Sequence, residues 1–172
     1  MLPPGHIAAS FLVGKIAGQF IPGLDQPQYL ALTSFFGFVP DLDHFLAFAK
    51  SKKMIIDEKI NHHRFITHAP IFYVFLFILW FIFFPEFKLV AYTFLLGTFS
   101  HLLIDTFASD GTVWLYPFSK KLYGKNPDKP FVVKEERFFQ HWIEFVKKYI
   151  KLYAFKAEII IIVIAIITLI YG

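Results

Sequence analysis

The sequence contains no cysteine, which excludes disulfides and thiolate zinc sites, so that any metal must be held by His, Asp or Glu. Charged residues are also scarce, at 17% of the chain, whereas an average globular protein carries roughly 25%. The N-terminus, MLPPGHIAAS, has no basic segment and no clear cleavage site, and we therefore expect no signal peptide. These absences make an ordinary soluble domain a poor fit.

The chain is instead rich in apolar and aromatic residues. Its 172 residues are 56% apolar and 20% aromatic, and the mean hydropathy is +0.55. The apolar residues are concentrated in runs, which is typical of membrane helices. We find no internal repeat and no low-complexity linker. We therefore expect one domain over residues 1–172, made of a metal-site core (1–119), a basic loop with an interfacial helix (120–153) and a C-terminal transmembrane helix (154–172).

The apolar runs predict an all-α fold, a polytopic membrane helix bundle. Two short helical hairpins are expected, at 6–21 with 29–39 and at 71–84 with 89–107. Residues 134–153 are amphipathic and suit a helix in the membrane interface, and residues 157–171 suit a terminal span. The first two runs are short for a full crossing, which needs about 20 residues, and whether they cross is left open.

The basic residues predict the orientation. Of 17 Lys and Arg, five lie between residues 45 and 69 and nine between 106 and 151. The positive-inside rule places both segments in the cytoplasm, which predicts a multi-pass protein of the cytoplasmic (inner) membrane. The net charge of +4 alone could suggest either nucleic acid or anionic lipid, but in a membrane protein the distribution of Lys and Arg is more informative than the total. We expect membrane lipid as a partner and no nucleic acid. The sequence does not predict an oligomeric state.

His101 and Asp105 are the first candidate metal ligands. They are four residues apart, so on a helix they lie on one face and can hold one divalent cation. The predicted topology brings further candidates to the same face of the membrane: His6, Asp41, Asp43, His44, His63 and His68. Each also has an ordinary interpretation, since a lone His near a helix end is often interfacial, Asp after Pro often caps a helix, and His63-Arg64 could contact lipid phosphates.

Taken together, these residues predict a metal site. A carboxylate in the hydrocarbon region costs about 2.5–3.5 kcal/mol on insertion scales, so a chain with few charges rarely places one there without a role. Mixed His and Asp ligands suit Zn, with Mn or Fe as alternatives, and the set is large enough for two divalent metal ions. Paired metals support phosphoester displacement. We leave His141 and Glu144 out of the site and include only one of His62 and His63.

Five short motifs, in order over residues 5–119, also carry a family resemblance. They are Gly5-His6, Pro40-Asp41-Leu42-Asp43-His44, His63-Arg64-x-x-Thr67-His68, His101-x-x-x-Asp105-Thr106 and Leu115-Tyr116-Pro117-Phe118-Ser119. The chain resembles the membrane-bound metal-dependent hydrolases typified by a LexA-regulated bacterial inner-membrane protein. It is more distantly similar to zinc-dependent phospholipases C. The resemblance implies a multi-helix membrane protein with a His/Asp metal site and hydrolase activity.

If the site is hydrolytic, a role can be proposed for each residue. The metal ligands would be His6, Asp41, His63, His68, His101 and Asp105. Asp43 would act as a general base, bridge the metals or orient a ligand imidazole, with His44 and Thr67 in supporting positions, and Arg64 would neutralise a phosphate. The substrate path would be lined by Asp110, Thr112 and Tyr116. The expected substrate is a phosphoester, such as a phospholipid or a lipid-linked phosphate.

Two other classes of protein fit the same residues. In one, a saturated metal site only holds the helices together and the protein is not catalytic. In the other, the protein transports metal, although its ligands cluster at one face and not near the midplane, where transporter sites usually lie.

Overall fold

The structure is a computed structural model that describes residues 2–43, 66–107, 111–124, 133 and 138–172. Within these ranges the all-helical prediction is confirmed, and extended pairing is limited to isolated bridges, such as the antiparallel one between Thr112 and Tyr123. The helices are α1 (Pro3–Gly18), α2 (Pro27–Phe36), α3 (Pro70–Phe83), α4 (Lys88–Phe107), α5 (Phe138–Tyr149) and α6 (Tyr153–Tyr171).

Proline sets where several of these helices begin. Pro3, Pro27 and Pro70 each stand in the first turn of a helix, where proline's missing N–H costs nothing and its fixed φ suits the helix. Helices α1 and α2 therefore start two or three residues earlier than the apolar runs at 6 and 29 predict. Short 3₁₀ turns occur at Val39–Leu42, Ile66–His68 and Pro85–Phe87.

Helix α4 is the centre of the packing. It contacts α1, α2 and α3, while α1 also packs against α6. Tyr73 of α3 and Phe94 and Leu102 of α4 form a buried apolar cluster. A smaller cluster joins Ala69 to Val113 and Leu122, which ties the segment after α4 to the start of α3. The bundle thus encloses the last turns of α4, which carry His101 and Asp105.

Among the described residues, two helical segments are long and apolar enough to cross a membrane, Pro85–Phe107 and Tyr153–Tyr171. In the most apolar part of the first segment 44% of the residues are buried, whereas in the second segment only 11% are. Most of α6 therefore presents apolar side chains outward. Helix α3 is apolar but shorter, at 14 residues.

Helix α5 is amphipathic, as the sequence predicts, and it ends at Tyr149, before the expected residue 153. Its apolar side chains Phe139, Trp142, Ile143 and Val146 are exposed, and Lys148 pairs with Glu144 at 2.6 Å. Tyr149 and His141 of the same helix are buried. Its location in a membrane interface stays a prediction.

Candidate metal centre

Four separate segments bring six acidic and imidazole side chains together. His6 comes from the first turns of α1, Asp41 from the 3₁₀ turn after α2, and Asp43 directly follows that turn. His68 ends the 3₁₀ turn before α3, and the last turns of α4 supply His101 and Asp105. All six are buried: His6, Asp41, Asp43, His68, His101 and Asp105.

A close approach of α2 to α4 orients His101. A Cβ added to Gly97 would lie 2.5 Å from the Thr33 carbonyl oxygen and 2.9 Å from the Gly37 backbone nitrogen, so only glycine permits this spacing. The Gly37 carbonyl then lies 2.8 Å from Nδ1 of His101, one helical turn beyond Gly97. A proton on Nδ1 donates to this carbonyl and leaves the Nε2 lone pair directed into the cluster, which is the usual arrangement of a metal-binding histidine.

The Nε2 atom of His101 faces two carboxylates. It lies 3.0 Å from Oδ2 of Asp105 and 3.6 Å from Oδ1 of Asp41. Within the described part of the chain, however, Nε2 has no partner with hydrogen-bond geometry. An unprotonated nitrogen and two carboxylate oxygens repel one another unless a cation or a proton lies between them. The arrangement fits ligand atoms that converge on a cation.

His6 lies flat against His101. Their ring centroids are 3.8 Å apart with an angle of 22° between the planes, and His6 Nε2 is 3.3 Å from Oδ1 of Asp105. Neither ring nitrogen of His6 forms a hydrogen bond to a described residue, although the side chain is only 1% exposed. Asp105 therefore directs one oxygen toward His6 and the other toward His101.

His68 is held from behind by Asp43. Its Nδ1 lies 3.1 Å from Oδ2 of Asp43, and the Thr67 hydroxyl donates to the same oxygen. The Thr67 carbonyl in turn accepts a hydrogen bond from Tyr73 at 2.7 Å. This carboxylate–histidine pair fixes the ring and directs Nε2 of His68 toward Oδ2 of Asp105, at 3.8 Å.

The cluster contains two groups of potential ligand atoms, each within 4.8 Å of one another: His6, Asp41 and His101, and His68, His101 and Asp105. With neutral imidazoles, Asp41, Asp43 and Asp105 leave three buried negative charges, which would be costly without compensating cations or protons. The donor set, the shared His101 and the buried His6 nitrogens all fit a divalent metal. Asp43 belongs to neither group.

The other predicted site residues lie outside this cluster or outside the described residues. Thr112 is buried, and its hydroxyl donates to the Leu102 carbonyl at 3.2 Å, while Tyr116 packs against the Ala69, Val113 and Leu122 cluster. Their role in binding substrate stays a prediction. His44, His63, Arg64 and Asp110 fall outside the described residues.

Two features of the site are not predicted by sequence reasoning. The first is the Gly37 carbonyl, because a backbone acceptor has no residue-type signal. The second is Glu158, which is 2% exposed in α6. The sequence does carry a signal for Glu158: it is a lone acid in the Ile-rich terminal run, and acids within apolar spans usually have a partner. His141 is also buried but belongs to neither ligand group of the described residues.

The fold and the cluster define a class: an all-helical membrane protein with a buried His/Asp site suited to metal. Comparison with protein families identifies it further. The family model described as "YdjM inner membrane protein" matches residues 1–172, and the chain belongs to this family. Comparisons with curated proteins and with solved structures give no match. The family agrees with the resemblance seen in the sequence, whereas the similarity to phospholipases C has no support from these comparisons.

Proposed function

We propose that the protein is a membrane-bound metal-dependent hydrolase that cleaves a phosphoester, such as a phospholipid or a lipid-linked phosphate. The observation that carries the proposal is the orientation of His101: its Nδ1 is held by the Gly37 carbonyl at 2.8 Å, and its Nε2 faces two carboxylates without a hydrogen bond among the described residues. This orientation supports a ligand role for His101, because a metal-binding histidine usually donates from one ring nitrogen to the protein and coordinates through the other.

The candidate ligands divide around Asp105. His6, Asp41 and His101 would hold one divalent ion, and His68 would contribute to a second. Because one imidazole nitrogen binds one ion, His101 cannot serve both groups. Asp105, with Oδ1 near His6 and Oδ2 near His101, is the residue suited to bridge two ions. Bound zinc, manganese or iron would polarise a phosphoryl oxygen and lower the pKa of a water molecule.

The surrounding residues would prepare this chemistry. Asp43 and Thr67 keep His68 in one orientation, so that little reorganisation is needed when substrate binds. Asp41 is the most exposed of the described candidate ligands, at 8%, and a substrate would approach from its side of the cluster. Arg64, which lies outside the described residues, would pair with the phosphate, and the basic helix α5 would meet the lipid headgroups at the cytoplasmic face.

One observation favours a second candidate, a non-catalytic protein with a structural metal site. His68 and His101 are 0% exposed and His6 and Asp105 only 1%, and structural sites are typically closed by protein ligands. The two candidates differ in their prediction for an open coordination position. A hydrolase site exchanges a bound water and responds to phosphate or vanadate, whereas a saturated structural site does not.

The first experiment measures metal content and turnover together. Protein purified without chelator should contain one to two transition-metal ions per chain, a range set by the two ligand groups. His101→Ala and Asp105→Ala should lose the metal and any hydrolysis of phosphoester lipids, by a factor of about 100 or more if metal binding is abolished. Asp25→Ala, at an exposed acid, and His141→Gln serve as controls.

The outcomes separate the candidates. Absence of transition metal from the wild-type protein would overturn both. Stoichiometric metal, lost in His101→Ala, without turnover of phospholipids or lipid-linked phosphates and without vanadate binding would support the structural candidate.

A further inference from the structure

A second buried polar cluster lies at the start of α1, outside the candidate ligands. Its centre is Glu158 of α6, which is 2% exposed in the otherwise apolar sequence AEIIIIVIAI. Its carboxylate accepts hydrogen bonds from the backbone N–H groups of Gly5, at 3.1 Å, and Leu2, at 3.3 Å. The Tyr149 hydroxyl of α5 donates to it as well. Three segments therefore meet on one carboxylate.

Glu158 supplies the N-terminal cap that α1 itself lacks. Leu2 stands at the cap position and no side chain of α1 caps the helix. Pro3 and Pro4 have no N–H to satisfy, so Leu2 and Gly5 present the first available donors. Gly5 shares its proton between the Leu2 carbonyl, at 3.0 Å, and Glu158. A carboxylate at this end also interacts favourably with the helix dipole.

Gly5 permits this contact, and the next residue is the candidate ligand His6. A Cβ at position 5 would lie 2.7 Å from Cγ and 2.9 Å from Oε1 of Glu158. Both distances are shorter than the van der Waals contact that a Cβ atom can make. The Tyr149 phenol remains a donor, because burial and then the hydrogen bond to Glu158 raise its pKa well above its ordinary value. The carboxylate is thereby held in place against the backbone that carries His6.

We propose that Glu158 is a positioning residue for the metal centre: by capping α1 from α6, it holds the His6 backbone so that the imidazole lies against His101. The inference rests on the proposed function insofar as His6 is a metal ligand. The claim that Glu158 fixes the position of the His6 ring does not depend on metal, because that position can be measured in metal-free protein.

Two readouts test the proposal on the full-length protein in detergent. Diethyl pyrocarbonate modifies accessible, unprotonated imidazoles, so in metal-free wild type both His6 and His101 should be protected. Glu158→Leu should expose His6 to modification while His101 stays protected, and it should weaken the binding of Zn²⁺ or Mn²⁺ about 10–100-fold, as loss of a supporting residue usually does. Glu158→Gln keeps an acceptor for Gly5 and should recover most of both properties.

The controls separate local from global effects. Glu144→Leu removes an acid that makes a surface ion pair with Lys148 and should change neither readout. Modification of His101 in Glu158→Leu would show that this variant does not fold. In that case Tyr149→Phe and Gly5→Ala test the proposal instead. Tyr149→Phe removes one hydrogen bond to Glu158, and Gly5→Ala displaces Glu158 sterically. Protection of His6 in these variants equal to that of wild type would overturn the proposal.

Failure of the proposed function has a different signature. If wild type binds neither metal, the hydrolase proposal falls, and the His6 modification in metal-free protein still decides whether Glu158 positions the ring. If wild type binds metal and Glu158→Leu binds it equally well with His6 protected, only the positioning role is wrong.

Discussion

His101 shows how single residues in this protein combine structural and chemical roles. Its Nδ1 is committed to the Gly37 carbonyl, and its other nitrogen faces Asp41 and Asp105. His68 repeats the pattern with Asp43 in place of the carbonyl. In both cases one ring nitrogen is occupied by the protein, which selects the tautomer and leaves the other directed into the cluster. The two acceptors differ in charge, however, and only Asp43 can increase the basicity of its histidine through a negative charge.

This difference leads to a prediction for Asp43. Asp43→Asn keeps an amide oxygen that can accept from Nδ1 of His68 but removes the charge, so metal affinity should fall about tenfold. Asp43→Ala removes the acceptor as well and should approach a hundredfold loss. The measurement is a Zn²⁺ titration of protein in detergent, with Asp25→Asn as the exposed control. Equal affinities for both Asp43 variants and wild type would show that His68 does not depend on Asp43.

At the scale of elements, glycine determines how closely the ligand-bearing helices pack. Gly97 of α4 approaches the end of α2, and Gly37 approaches Ser10 of α1, where an added Cβ would lie 1.9 Å from the hydroxyl oxygen. That hydroxyl also pairs with Ser100 of α4 at 2.5 Å. Small residues at helix contacts are typical of membrane bundles, where packing and polar contacts replace the hydrophobic effect. Here the same contacts bring His6, Asp41 and His101 together.

A pair of glycine substitutions tests this account. Gly97→Ala would place a Cβ against backbone atoms of α2, which cannot move without shifting the helix, and should destabilise the protein by about 1–3 kcal/mol. Gly14→Ala meets mainly the flexible end of Leu30, at 3.1 Å, and should cost much less. Thermal unfolding in detergent compares the two, and metal affinity should fall only in Gly97→Ala. Equal effects of the two substitutions would contradict the account.

The extent to which the elements and site were predictable depends on the range of the interactions. Apolar periodicity predicts the helices, and the four-residue spacing predicts that His101 and Asp105 share a face, as they do. The contacts of His68 with Asp43, of His101 with Gly37 and of Gly5 with Glu158 span 25, 64 and 153 residues of sequence. Such contacts depend on helix packing, which local patterns do not encode. Glu158 differs from the others, because an isolated acid in an apolar run itself indicates that the side chain has a buried partner.

At the scale of the whole molecule, α6 connects an exposed apolar surface to the helix that carries the candidate ligand His6. One face packs on α1 and carries Glu158 and Ala165. The rest of the helix carries a series of exposed Ile, Val and Leu side chains between Ile159 and Ile170, which are suited to contact with lipid. If α6 crosses the bilayer, its inward face holds α1 in place and its outward face anchors the molecule. The cap on α1 would then lie in the N-terminal part of the span, at the depth of the candidate ligands.

The lipid contact of α6 can be tested by the depth at which a charge is tolerated. Val163 lies near the middle of the helix and is 48% exposed, whereas Tyr171 lies at its end and is 85% exposed. Val163→Asp should cost about 2.5–3.5 kcal/mol of insertion free energy, since a short carboxylate cannot reach the interface. Tyr171→Asp should cost much less, because the penalty falls toward the membrane surface. Each variant also carries Gly172→Cys in this cysteine-free chain, and labelling from the outer face with a membrane-impermeant maleimide measures the fraction of α6 that is inserted across the membrane. A loss of labelling in Val163→Asp alone is the result expected for a spanning helix, and equal labelling of the two variants would contradict a spanning helix.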